Sequence, residues 1–509
     1  MLSKFSFNKL NITLFILYAF ILAFFSLSSF PSKMSDHNLF PYLCVRPISE
    51  DGFYMLTVAD NIAKGKGITY NYNQPTTGIQ PLATFVYAGI AKFTYLFNED
   101  KALLARSVIV YSALLELLFM LVIFKITSLI APYISKKKLL FLSGIFTILN
   151  FNLFLYFNNG LETGLYLTCL GCTIIYSFNF INKPDYKHAT LFGLIAGITA
   201  LARLDFLAIF AVFILASLIG KKIEFNKVLT IGSVTLLTIS PWLLYVFSVT
   251  GTIFQSSILA QSNLALHTTI TEKLYFLITA LLQHLLPLFF TSFKDWILFT
   301  AFPFMILFII YMYKKGLFKT VYASEMLHWF LGIFFLVPLY FTFSAAHWFY
   351  IRYFTPLFLI FIPYTIILLN HLYRINIKRP CLIVSSICLM LFFGQTYHHI
   401  HAVKVGNHQC MRINFIKKNF KSDERIGVWQ SGATGYFCPN VVNLDGKMNS
   451  VADKYNRADN SFRYIDSTRI NVLIEWKIIL KSIDTTKWKL AYPDIGDGTS
   501  ECYIREQKS

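Results

Sequence analysis

Acid is what this chain has least of. Aspartate and glutamate together number 26 in 509 residues, against 45 lysines and arginines, and all charged residues make up only 14%. A soluble chain carries about 25%, so an ordinary water-soluble globular protein is excluded. Cysteine is scarce too, and its eight residues give no dense disulfide framework. Cys169 and Cys172 have C-x-x-C spacing but sit inside an apolar helical run, where core packing accounts for them better than redox or metal chemistry. Internal repeats and low-complexity segments are also missing.

What the chain has in abundance is apolar surface: 56% hydrophobic residues, 17% aromatic. Runs such as 10–30, 102–124, 228–249 and 353–370 reach the roughly 20 residues that cross a hydrocarbon core. The formal charge of +19 would suit a nucleic-acid binder if it were clustered. Instead it falls in short loops between apolar runs: Lys125 with Lys136–Lys138, Lys221 with Lys222 and Lys227, Lys314 with Lys315 and Lys319, Arg374 with Lys378 and Arg379. That is positive-inside punctuation, and nucleic acid is excluded as a partner. The partner the composition demands is the lipid bilayer.

Lys4 and Lys9 place the N-terminus in the cytoplasm, and the apolar run after them reads as an anchor, with only a poor cleavage site at Ser26, Ser28 and Ser29. Alternating the lysine loops across the membrane predicts an α-helical multi-pass membrane protein with about eleven crossings. Residues 1–401 form the transmembrane domain, with external loops at 31–101 and 250–295. The stretch 81–97 then lies along the membrane or dips in and back, and 274–293 lies along the membrane. The run 139–156 crosses once, and 189–219 crosses twice, with Arg203 and Asp205 at the external turn. From 402 the composition turns polar, and 402–509 reads as a small extracytoplasmic α/β domain. Met411, Phe415, Ile416 and Phe420 predict an amphipathic helix there, and 426–429, 441–444 and 470–476 predict strands. Cys44, Cys410, Cys438 and Cys502 all fall outside, and the sequence does not choose a disulfide among them.

The most informative stretch is 47–82, PISEDGFYMLTVADNIAKGKGITYNYNQPTTGIQPL. Ser49 is placed as a helix N-cap, Glu50 and Asp51 open the helix, and Gly65 and Gly67 stop it. An acidic first turn by itself complements the helix dipole. Here it borders an apolar membrane boundary in an acid-poor chain, where unpaired charge is costly.

The acidic pair, the glycine stop and the Thr-Gly-x-Gln-Pro-Leu run (77–82) resemble the first external loop of bacterial GT-C glycosyltransferases. That superfamily includes the protein O-mannosyltransferases and the lipid A aminoarabinose transferase. NNGLETGLY (158–166), LARLDFL (201–207), RYFTPL (352–357) and GVWQSGATGYF with VVNLDG (427–446) resemble recurring motifs of the same group, so the likeness spans nearly the whole chain. The sequence departs from the pattern at Gln80, where many relatives have His, and after Gly251, where a proline is missing. The resemblance implies an inner-membrane enzyme that takes a sugar from a polyprenyl-phosphate carrier at the outer face and passes it to an envelope glycan, lipid or protein. No protein partner is indicated.

The topology gathers Glu50, Asp51, Glu162, Arg203, Asp205, His347 and Arg352 at that face. Transfer from a phosphate leaving group needs one carboxylate base for the acceptor hydroxyl. Asp51 is the first candidate and Glu50 the second; adjacent helical residues diverge, so one of them faces the acceptor. Arg352 is the candidate grip on the donor phosphate, since guanidinium binds phosphate oxygens in two bonds. Arg203 is the alternative, and His347 could assist either, although beside Trp348, Phe349 and Tyr350 it also reads as an interface anchor. Gln74, Gln80, Glu162, Asp205 and Tyr353 are assigned to substrate contact. The residues leave a metal open: two carboxylates at an anionic phosphate could hold a divalent ion, Mg or Mn, and Glu50 and Asp51 would be its ligands. His398, His399 and His401 have no carboxylate neighbour and read as a membrane-exit cluster. The rival class, a transporter or flippase of lipid-linked sugars, would place charges at the bilayer midplane between inverted repeats. Neither feature is visible.

Overall fold

The computed structural model describes residues 43–44, 46–71, 74–258, 269–285, 309–343, 349–374, 408–458, 460–481 and 483–506, with a few single positions such as Tyr18. Two parts result: a bundle of apolar helices up to Arg374, and an α/β domain from His408.

Among the described residues five helices are long and apolar enough to cross a membrane: Lys101–Ile130, Thr163–Asn182, Phe225–Thr250, Ala323–Thr342 and Thr355–Arg374. The crossing expected at 139–156 is not one straight helix. It is two helices, Lys136–Ile148 and Phe151–Asn158, bent by 65°. The break falls at Asn150, whose side-chain oxygen accepts the Leu153 N–H (3.2 Å) and starts a new helix. Counted as one broken span, the pair makes six. The expected crossings at 10–30, 297–313 and 380–396 lie largely or wholly outside the described residues.

The run 189–219 does divide at Arg203–Asp205, between the helices Tyr186–Ala202 and Phe206–Ile219. Pro81–Thr94 has 14 residues. At about 1.5 Å rise each it is too short to cross a core about 30 Å thick. The described part of 274–293 continues the helix Ile270–Leu285. Aromatic rings fill the bundle core; Trp329, fully buried, stacks on Phe213 at 4.0 Å.

The C-terminal domain holds a five-stranded sheet in the order β2-β1-β3-β5-β4, with β1 Ile426–Val428, β2 Val441–Asn443, β3 Val472–Trp476, β4 Trp488–Tyr492 and β5 Ser500–Arg505. The first three are parallel and match the three expected strands; β5 and β4 add an antiparallel hairpin. Those two escaped notice because β4 is exposed from Lys489 onward and shows no apolar alternation. The amphipathic helix is His408–Asn419, but its buried face is corrected to Cys410, Ile413 and Ile416, together with Arg412. Arg412 is drawn inside by Glu475 (3.1 Å), which also accepts the N–H groups of Trp429 and Gln430 (both 2.8 Å). One buried ion pair thus ties the ends of β1 and β3 together.

The parallel strands point their C-terminal ends at the loop 46–80, the end of an open α/β sheet where ligand sites form. The helix Glu50–Ala63 packs there, with Phe53 against Tyr436 (5.3 Å) and Phe437 (5.6 Å). Asn71 acts as a one-residue partner for β2, donating to the Val441 carbonyl (2.8 Å) and accepting the Asn443 N–H (2.9 Å). A disulfide joins Cys44 to Cys410, while Cys438 and Cys502 stay reduced and buried.

Candidate active site

The site forms where the first loop, the C-terminal domain and the ends of several helices on one side of the bundle meet. Ser49 caps the helix Glu50–Ala63, its hydroxyl oxygen accepting the Gly52 N–H (3.1 Å). Its own N–H (2.9 Å) and O–H (3.0 Å) donate to the Asn159 carbonyl, which fixes this helix start to the 158–162 loop.

Glu50 and Asp51 leave that turn in different directions. Glu50 accepts the backbone N–H groups of Gly432 and Ala433, one on each oxygen, at the start of the short helix Gly432–Phe437. The contact is close enough to require glycine: a Cβ at position 432 would come within 2.0 Å of the Glu50 carbonyl oxygen. Burial pushes the Glu50 carboxyl up from 4.5 to about 7, against the pull of the N–H bonds. Asp51 stays partly open, its side chain 28% exposed. One of its oxygens faces Arg352 Nη1 at 4.0 Å, the other faces Lys447 Nζ at 3.8 Å.

Lys447 was not anticipated. The motif VVNLDG ends one residue before it, and nothing local marks that lysine as different from others. It stands on the turn after β2, beside Asp445 Oδ2 at 3.8 Å. Tyr54 O–H donates to the same Asp445 oxygen (3.2 Å). Burial holds the Asp445 carboxyl above its usual range. For Lys447, burial alone would lower the ammonium, but Asp51 and Asp445 outweigh it and hold it above its ordinary value.

A second charged cluster lies deeper. Arg203 pairs with Asp205 (2.5 Å) and donates to Tyr340 O–H (3.0 Å), which itself donates to Asp205; Glu162 is 3.8 Å away. Arg203 Nη1, Asp205 Oδ1 and Tyr166 O–H are buried with no partner among the described residues. Tyr353 connects the clusters: its ring is 5.3 Å from the Arg203 guanidinium and 5.4 Å from that of Arg352, and it stacks on Tyr340 at 4.3 Å.

The structure therefore brings Asp51, Arg352, Tyr353, Arg203, Glu162 and Asp205 into one continuous region. Gln80 serves as the N-cap residue of Pro81–Thr94, and Gln74 lies beside Tyr464 of the C-terminal domain; each has a side-chain oxygen buried with no partner among the described residues. His347, His398, His399 and His401 lie outside the described residues. Glu50 and Asp51 do not fit a metal site, because backbone N–H groups occupy Glu50 and two cations face Asp51. Among the described residues no three His, Cys, Asp or Glu side chains gather as ligands.

No protein-family model and no curated protein sequence matches the chain. Solved structures do. ArnT from Cupriavidus metallidurans in the apo state superposes with a TM-score of 0.60 at 11% identity, over 97% of each chain. The same protein bound to undecaprenyl phosphate matches at 0.60 and 11%, over 98% of each. The Archaeoglobus fulgidus oligosaccharyltransferase tethered to an acceptor peptide matches at 0.48 and 11%, over 97% of this chain and 74% of that one. The chain has the fold of this ArnT, in keeping with the fold that the resemblance implied.

Proposed function

We propose that this multi-pass membrane protein is a glycosyltransferase that moves a sugar from a polyprenyl-phosphate donor to a hydroxyl of an envelope acceptor. The observation that carries the reading is Asp51: one open carboxylate, flanked by cations, at the junction of the membrane helices and the C-terminal domain. A likeness over nearly full length to a structure holding undecaprenyl phosphate supports a lipid-linked donor.

Asp51 takes the proton from the acceptor hydroxyl as its oxygen bonds to the anomeric carbon. The bond from that carbon to the phosphate oxygen breaks, and the phosphate leaves with the electron pair and remains on the carrier lipid. Arg352 receives the leaving phosphate, and the partnerless polar atoms around Arg203, Asp205 and Tyr166 suit the hydroxyls of the sugar. Glu50 positions the C-terminal domain. The reaction runs at the outer face of a bacterial inner membrane, with residues 402–509 outside. The Cys44–Cys410 bond supports that side, since disulfides persist outside the cytoplasm.

The test is transfer by the purified protein from labelled polyprenyl-phosphate sugars to an acceptor fraction, with mass spectrometry of envelope glycans from a deletion strain. A missing glycan restored by the protein is the expected result. Unchanged glycans, with donor moved across vesicles but not consumed, would replace the enzyme by a transporter.

A further inference from the structure

We infer that Lys447, carried by the C-terminal domain, is a second cation for the donor phosphate, and that the donor draws Lys447 and Arg352 away from Asp51 as it binds. The inference rests on the glycosyltransferase reading above.

Its first support is the balance of charge. Asp51 faces both Arg352 and Lys447, and Asp445 faces Lys447. With Arg352 as the sole cation, an anionic phosphate would approach two carboxylates and one guanidinium and be repelled. Lys447 brings that group to neutrality. The second support is distance. Charge-assisted N–H···O bonds run at about 2.7–2.9 Å, whereas Asp51 lies 4.0 Å from Arg352 and 3.8 Å from Lys447. Both cations are attracted to Asp51 without being bonded to it, and Arg352 Nε is buried without a partner among the described residues. Phosphate oxygens offer what these donors lack.

The third support is anchoring. Three elements hold the Lys447 backbone. Its N–H donates to Asp445 Oδ1 (2.8 Å), and its carbonyl accepts the Ser256 O–H (3.0 Å). Gly78 of the first loop approaches so closely that a Cβ there would lie 2.0 Å from that carbonyl oxygen. A surface lysine on a free turn has no need of such support. Once the phosphate holds both cations, the oxygens of Asp51 are released to accept the acceptor proton, so the base becomes available only when the donor is present.

The experiment measures binding of undecaprenyl phosphate, uncharged undecaprenol and phosphatidylglycerol to the full-length protein, Lys447→Met, Lys447→Arg and Arg352→Met. Lys447→Met should weaken undecaprenyl phosphate binding by about 10- to 100-fold, the worth of a hydrogen bond to a charged group. Undecaprenol binding should stay unchanged, and Lys447→Arg should retain most of the affinity. A Cys44–Cys410 disulfide still formed on a non-reducing gel shows that the variant domain remains docked. Equal loss for undecaprenol would mean a structural role and overturn the inference. Equal loss for phosphatidylglycerol would mean a general lipid site and overturn it as well. If Arg352→Met loses undecaprenyl phosphate while Lys447→Met does not, Lys447 is excluded and the glycosyltransferase reading stands. If neither loses it, that reading falls too.

Discussion

The two charged clusters of the site are built to opposite rules. Around Arg203 the side chains are nearly sealed, with Arg203 4% and Glu162 6% exposed, and Arg203 meets Asp205 at 2.5 Å. Around Asp51 the side chains are 16–28% exposed and stand 3.8–4.0 Å apart. A sealed pair has already surrendered its hydration and depends on its partner. A loose group keeps its charges available to something else. The difference separates a cluster that is bonded within itself, with a few atoms left partnerless among the described residues, from one whose charges stand apart.

The largest expected effect tests the open cluster. Asp51→Asn preserves shape but cannot take the proton at neutral pH. Single-turnover transfer should fall about 10²–10⁴-fold, the typical worth of general-base assistance, with the folded protein and its donor binding intact. Normal turnover would move the base to Glu162 or Asp205 and erase the distinction drawn between the clusters.

Arg203→Met tests the sealed cluster and should fail differently. It strands Asp205 in a buried setting, which costs about 3–5 kcal/mol, so the unfolding temperature in detergent should drop sharply. A variant that folds as well as the parent would mean that the Arg203 pair is as exchangeable as the Asp51 pair.

Cys44→Ser sharpens the contrast from outside both clusters. Loss of a native disulfide removes about 2–4 kcal/mol. Here it should loosen only the side of the site that the C-terminal domain supplies, Lys447 included. Limited proteolysis should release fragments from 408–506 earlier, while the membrane helices keep their protection.

The smallest effect is a slope with pH. Glu50 is held near 7 in the fold against an ordinary 4.5, through burial. The folded state therefore binds the proton more tightly. The stability this gives is fully present below about 4.5 and is lost as pH rises through about 7. Thermal unfolding between pH 5 and 8 should slope downward for the parent and less for Glu50→Gln. Parallel curves would show that Glu50 is not buried at the domain junction.

Much of the site could be read from the residues. Ser49 announced its helix start, and Gly65 and Gly67 its end. The pair Arg203 and Asp205, too polar for mid-membrane, marked the break between two helices. Asn150 carried the cue for the 65° bend, being an N-cap residue inside an apolar run, but hydrophobicity averaged over 139–156 concealed it. The hairpin of β4 and β5 left no alternation to read. The sequence alone determined the class of molecule, because crossing hydrocarbon and marking the cytoplasmic side depend on runs and loops contained within a few dozen residues. It also determined which residue types were available for the chemistry. Only the tertiary structure gave Glu50 and Asp51 their different surroundings, chose Cys410 for Cys44 and brought Lys447 beside Asp51. Each of those depends on backbone separated by more than 360 residues coming within a few ångströms, and no local pattern encodes that.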